Sequence, residues 1–226
     1  MGPTTSSPHA PQAFLFDLDG TLVDSERDNV ESVVLAVRRY GAELSPAERA
    51  FVIGHSWNEI YAMIAGNHAL PVSMRQLIDA AVDEKQALIA VGGQRALPGA
   101  VATVKRLARG SKLAVVSGAS RREVLEALAG IGLAAEFALV VAAEDYAHGK
   151  PSPEPYAQAL TRLGADPARS IAIEDATPGI LSARAAGARV VGVRAGNFAG
   201  LDLSAADLVV DTLAELTDDV CARLVA

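Results

Sequence analysis

The sequence predicts an α/β fold, with a buried parallel sheet carrying helices on both faces and an all-helical segment inserted into it. Three observations lead there. Short apolar runs alternate with longer amphipathic stretches, as repeated βα units require. Half of the 226 residues are hydrophobic but only 4% are aromatic. A core built from Ala, Val and Leu suits helices packed on a parallel sheet better than a β-sandwich. Finally, the interval from about Asp24 to Pro98 contains no buried-strand run and is long for a single crossover.

Taken in order, residues 1–11 read as a flexible tail, with neither the positive start nor the apolar stretch of a signal peptide. Strands are predicted at Ala13–Phe16, Leu113–Val116, Leu139–Ala142, Ile171–Ile173, Val190–Val193 and Leu208–Val210. Helical patterns cover about 99–109, 120–130, 153–163, 178–186 and 212–224, punctuated by Gly110, Gly132, Gly164 and Gly187. Within the insert, amphipathic pieces lie near 26–40, 46–53, 56–65 and 73–91, and Gly92-Gly93 offers a hinge at the exit. The division is therefore 12–24 with 97–226 as the α/β core and 25–96 as the helical insert.

Chemistry concentrates at the carboxyl ends of four predicted strands. Phe16-Asp17-Leu18-Asp19-Gly20-Thr21 follows the first, where two carboxylates one residue apart can face a crevice and Gly20 permits the tight exit turn. Ser117-Gly118 follows the second and opens a helix, so a hydroxyl and backbone N–H groups could bind a phosphate oxygen. Gly149-Lys150-Pro151 holds a lysine in a proline-stiffened turn after the third, and Glu174-Asp175 ends the fourth. Alone, each has an ordinary explanation as a turn former, an N-cap or a solvated lysine. Together they supply the nucleophile and acid, hydroxyl, lysine and hard-cation ligands of a phosphoryl-transfer site.

These four motifs, in this order, resemble the haloacid dehalogenase superfamily. The closer likeness is to its branch with a helical cap after the first motif, that of phosphoglycolate phosphatase and β-phosphoglucomutase. The likeness runs from about Ala13 to Leu216 and is most specific in Ile173-Glu174-Asp175-Ala176-Thr177-Pro178-Gly179-Ile180, although this branch often has Ser where Ala176 stands. The resemblance implies a Rossmann-like core with an inserted cap, and a magnesium-dependent phosphatase of a small phosphorylated metabolite. It makes Asp17 the nucleophile that becomes an aspartyl-phosphate, and Asp19 the general acid and base. Lys150 would screen charge, while Ser117 and the Gly118 amide would grip the phosphate. Mg²⁺ would be held by Asp17, Asp175 and the Asp19 carbonyl, with Glu174 a direct or water-mediated partner. Because halide leaves without a proton, the acid at Asp19 argues against dehalogenation.

In the insert, Gly54-His55-Ser56-Trp57-Asn58 offers groups that could bind a sugar-like substrate. Equally, Ser56 with Glu59 could be a capping box and Trp57 a packing residue. Two further functions compete: a sugar phosphomutase using the same core residues, and a non-catalytic binding protein, which would be expected to lose one of the core residues retained here. A net charge of −7 without a basic run argues against nucleic acid, and no apolar stretch is long enough to span a bilayer. A single cysteine, Cys221, excludes an internal disulfide and favours a cytoplasmic setting. His9, His55, His68 and His148 lack metal-ligand spacing, Arg121-Arg122 reads as a solvated helix start, and a monomer is preferred.

Overall fold

In the computed structural model, residues 10–53, 55, 57–198 and 200–226 are described. The chain divides into two compact units: one holds the sheet and comprises the chain up to Val23 and from Arg95 to Ala226, and the other spans Asp24–Gln94.

The first unit contains six strands, β1 (Ala13–Phe16), β2 (Lys112–Val116), β3 (Leu139–Val141), β4 (Ser170–Glu174), β5 (Arg189–Val193) and β6 (Leu208–Val210). All pair in parallel, in the order β3-β2-β1-β4-β5-β6. Its helices are α5 (Ala100–Leu107), α6 (Arg121–Gly130), α7 (Glu154–Leu163), α8 (Thr177–Ala185) and α9 (Asp218–Leu224). Strand alternation distributes the side chains between two apolar clusters. Phe14, Phe16, Leu113, Val115, Ile171 and Ile173 share one with α5, α6 and Cys221 of α9. Ala13, Leu15, Ala114, Val116 and Ala172 share the other with α7 and α8. Burial on both faces explains why the strands read as unbroken apolar runs rather than as alternating ones.

The second unit is helical in its described residues: α1 (Ser25–Arg39), α2 (Pro46–Val52), α3 (Trp57–Asn67) and α4 (Met74–Gly92). Its own core gathers Val33, Val37, Val52, Ile60, Ile64 and Leu77. Ser45 and Ser73 cap α2 and α4 in reciprocal boxes with Glu48 and Gln76, and Gly93 ends α4 at φ +73°.

One expected element differs. The helix expected over 212–224 is a 3-10 turn at Leu213–Glu215 followed by α9. Glu215 folds back to accept from the Asp211 and Thr212 amides, while Thr217 starts α9 by accepting from Val220 N–H. Local side-chain caps thus interrupt a periodicity that is continuous in sequence.

One backbone crossing fixes the β1 exit. A Cβ at Gly196 would stand 1.9 Å from the carbonyl oxygen of Gly20, a clash with main chain rather than with a movable side chain. Gly196→Ala is therefore expected to destabilise the protein by about 1–3 kcal/mol in urea unfolding. Gly110→Ala, where nothing lies within 4 Å, should lie within about 0.5 kcal/mol of wild type. Equal midpoints for the two variants would show that the crossing is not tight.

Candidate active site

Strand register assembles the site. Phe16 pairs with both Val115 and Ile173, so one residue further Asp17 comes level with Val116 and Glu174. The ladder continues past the strand ends, with Asp17 N–H donating to Ile173 O and Ser117 N–H to Val141 O, each at 3.0 Å. The order β3-β2-β1-β4-β5-β6 reverses direction between β1 and β4, and ligands of open α/β sheets bind at the carboxyl ends beside such a reversal.

Beyond Asp17 the chain turns sharply. Leu18 O accepts from Leu22 and Val23 N–H at 2.8 and 3.0 Å, and Gly20 N–H donates to Val23 O. Gly20 adopts φ +75°, and a Cβ there would lie 2.1 Å from Asp175 Oδ2, so glycine is required both for the turn and for the approach of Asp175. Thr21 Oγ1 donates to Asp175 Oδ1 at 3.5 Å, and Asp19 stays exposed.

Lys150, preceding a cis bond to Pro151, brings its ammonium to Asp17 Oδ1 at 2.5 Å, Glu174 Oε1 at 2.6 Å and the Val116 carbonyl at 3.0 Å. Tyr156 on α7 donates its hydroxyl to the same Glu174 oxygen at 2.5 Å. Ser117 is buried; its Oγ accepts from Ala119 N–H at 3.1 Å and its carbonyl from Tyr146 OH at 2.9 Å, while Gly118 is exposed.

Charge in this pocket is unbalanced. Burial pushes Asp17 well above the usual carboxylate range; Lys150 opposes the shift, and Glu174, Asp175 and Asp19 add to it. Burial, followed by the Glu174 charge, raises Asp175 to about 7. Burial alone would lower Lys150, but Asp17 and Glu174 outweigh it and keep the ammonium charged. Tyr156 is held well above its ordinary value by burial and by Glu174, so its hydroxyl remains a donor. Three carboxylates around one lysine leave an excess of negative charge that a cation would relieve.

Asp17, Glu174 and Asp175 each offer an oxygen, all within 4.8 Å of one another. Such an all-oxygen set suits a hard divalent ion such as magnesium. The residues therefore fit the metal that the motifs imply.

The expected residues Asp17, Ser117, Lys150, Glu174 and Asp175 thus lie together at neighbouring strand ends. In the helical unit, His55 stacks on Phe51 with centroids 3.8 Å apart and its Nδ1 lies 3.2 Å from Ile53 O. Trp57 packs against that unit's apolar cluster, and Ser56, with the capping box it could form, lies outside the described residues. His148 pairs with Glu154, and Arg121 with Asp145, both as surface structure. The sequence alone assigns no individual role to Tyr156, Thr21 or Gly179. Of these, Tyr156 carried a signal, since a tyrosine on the apolar face of a helix needs a partner for its hydroxyl.

The fold and the site define an α/β enzyme of phosphoryl-group chemistry. Residues 14–193 match the haloacid dehalogenase-like hydrolase family, and the chain belongs to it. A validoxylamine A 7'-phosphate phosphatase of Streptomyces hygroscopicus subsp. limoneus is 31% identical over 89% of this chain and 94% of its own. Hexitol phosphatase A of Escherichia coli is 33% identical over 91% and 93%. Among solved structures, CbbY from Rhodobacter sphaeroides in complex with phosphate superposes with a TM-score of 0.72 at 26% identity, over 91% and 96% of the two chains. The chain is accordingly a phosphoric monoester hydrolase or a phosphomutase. No described helix is long and apolar enough to cross a membrane.

The Asp175 shift gives a pH dependence. With its folded value raised from 3.8 to about 7, the metal-free native state holds more protons than the unfolded chain between those values, so its stability falls as pH rises through them. Cation binding needs the ionised form and strengthens over the same range. Melting with EDTA or Mg²⁺ should therefore show a larger magnesium-induced rise in Tm at pH 8 than at pH 5. Equal rises would contradict the assignment of Asp175 to the cation.

Proposed function

We propose that the chain is a magnesium-dependent phosphatase of a small phosphomonoester, in the sugar phosphate or phosphoglycolate class, working through an aspartyl-phosphate on Asp17. The observation that carries the proposal is the cluster of Asp17, Glu174 and Asp175 beside the sheet reversal, with Lys150 paired to the first two. Support for the substrate class comes from two relatives, one named a phosphatase of validoxylamine A 7'-phosphate and the other a hexitol phosphatase.

In the first half-reaction an Asp17 carboxylate oxygen attacks phosphorus. The new P–O bond forms as the ester P–O bond breaks, and Asp19 gives its proton to the departing alcohol oxygen. In the second half, Asp19 takes a proton from water, whose oxygen attacks the same phosphorus. The Asp17–phosphate bond then breaks and inorganic phosphate leaves. Lys150 orients the Asp17 carboxylate and offsets charge, while Ser117 Oγ and the Gly118 amide hold the non-reacting phosphate oxygens. Magnesium, held by Asp17, Asp175 and the Asp19 carbonyl with Glu174 as direct or water-mediated partner, would supply the positive charge that lets two anions approach.

Phosphate release from a panel of sugar phosphates, polyol phosphates and phosphoglycolate, with Mg²⁺ or EDTA, tests the reading. Magnesium-dependent release from members of that panel is expected. Sugar isomerisation without matching phosphate release would replace the phosphatase with a phosphomutase. Asp17→Asn should abolish turnover with the fold intact, and retained activity would remove the nucleophile. Asp19→Asn should lower kcat/KM, which reads the first half-reaction, by about 10²–10⁴-fold on alkyl phosphates. It should lower it much less on p-nitrophenyl phosphate, whose leaving group departs without a proton. Equal losses of kcat/KM on both would remove Asp19 as the acid.

A further inference from the structure

Tyr156 takes no part in the chemistry above, yet it is a large, fully buried side chain, with 0% exposure, in an apolar cluster. Its neighbours on α7 in that cluster are Ala159, Leu160 and Leu163. A phenylalanine would fill the same space. What the hydroxyl adds is a 2.5 Å hydrogen bond to Glu174 Oε1, the oxygen that also receives Lys150 Nζ at 2.6 Å. Lys150 Nζ in turn lies 5.2 Å from the centre of the Tyr156 ring.

The Glu174 carboxylate is confined by α8 as well. A Cβ at Gly179 would stand 1.9 Å from Oε1 and 2.1 Å from Oε2, so the carboxylate lies directly against that helix backbone. Two donors therefore converge on Oε1 while a bare helix turn bounds both oxygens. Glu174 is 1% exposed and has no solvent to replace a lost partner. Without the hydroxyl, Glu174 would draw more of the ammonium that it shares with Asp17, and the placement of both carboxylates would loosen.

We propose that Tyr156 is a positioning residue for the metal: with Lys150 it fixes Glu174 Oε1, holds that carboxylate in place beside Asp17 and Asp175, and so sets the affinity of the site for Mg²⁺. This rests on the magnesium reading above. Outer partners that orient a ligand change metal affinity by about 10–100-fold when removed.

Thermal melting of the full chain against a magnesium chloride series, referenced to EDTA, provides the test, because it reads the ion alone and needs no turnover. The wild-type Tm is expected to rise with Mg²⁺, and the midpoint of that response to move at least about tenfold higher in Tyr156→Phe. In a Glu174→Gln background, adding Tyr156→Phe should move it no further, since the hydroxyl acts through Glu174. At saturating Mg²⁺, KM for p-nitrophenyl phosphate should stay within about twofold of wild type, because Tyr156 is sealed from substrate. No magnesium response in the wild type would overturn the magnesium reading itself. A normal wild-type response with an unchanged midpoint in Tyr156→Phe would overturn this inference alone. So would an equal loss in both backgrounds, which would mark a general packing effect. If Tyr156→Phe does not melt cooperatively, Glu174→Gln carries the test: an unchanged midpoint there would leave Tyr156 nothing to position.

Discussion

Lys150 stands at the centre of this molecule's chemistry. Its ammonium is shared among Asp17, Glu174 and the Val116 carbonyl, at 2.5, 2.6 and 3.0 Å, among side chains that are largely buried. Carboxylates so close would expel one another without it, and burial already drives Asp17 towards its protonated form. The strands deliver the acids, but the lysine makes their company tolerable. Even then one positive charge faces three negative ones, Asp175 included, and this residual imbalance suits the pocket to a divalent cation and an incoming phosphate.

The fold serves that arrangement by register. Because Phe16 pairs with both Val115 and Ile173, every strand-end residue is placed by the ladder rather than by a flexible loop. The same alternation that sends Leu15 and Ala172 to the face bearing α7 and α8 orients Asp17 and Glu174, two residues on in each strand. Glycine completes the fit where backbones must meet carboxylates or one another. Gly20 passes Asp175, Gly179 passes Glu174 and Gly196 passes Gly20, each closer than any Cβ would allow.

Much of this was legible in the sequence, for physical reasons. Strands buried on both faces leave continuous apolar runs, and the runs ending in Asp17, Ser117 and Glu174 announced where polar chemistry begins. What escaped reading lies in contacts that only the folded chain creates. Nothing in the neighbourhood of Tyr156 indicates that its hydroxyl meets Glu174, 18 positions away, and nothing near Gly179 indicates a carboxylate against its Cα. The C-terminal helix misled for the opposite reason: its periodicity is continuous, but Glu215 and Thr217 satisfy backbone groups locally and break it. In the helical unit, Trp57 packs against the apolar core of its own bundle.

The central claim is that one buried ammonium holds the acidic cluster together, and replacing it is the most direct test. Urea unfolding of Lys150→Met in EDTA, compared with wild type, should show a loss of about 3–5 kcal/mol, as expected when one partner of a buried charge pair is removed. Adding Mg²⁺ should recover more of that loss in the variant than it adds to wild type, because the cation takes over part of the same task. A loss below about 1 kcal/mol, with no extra response to magnesium, would contradict the account.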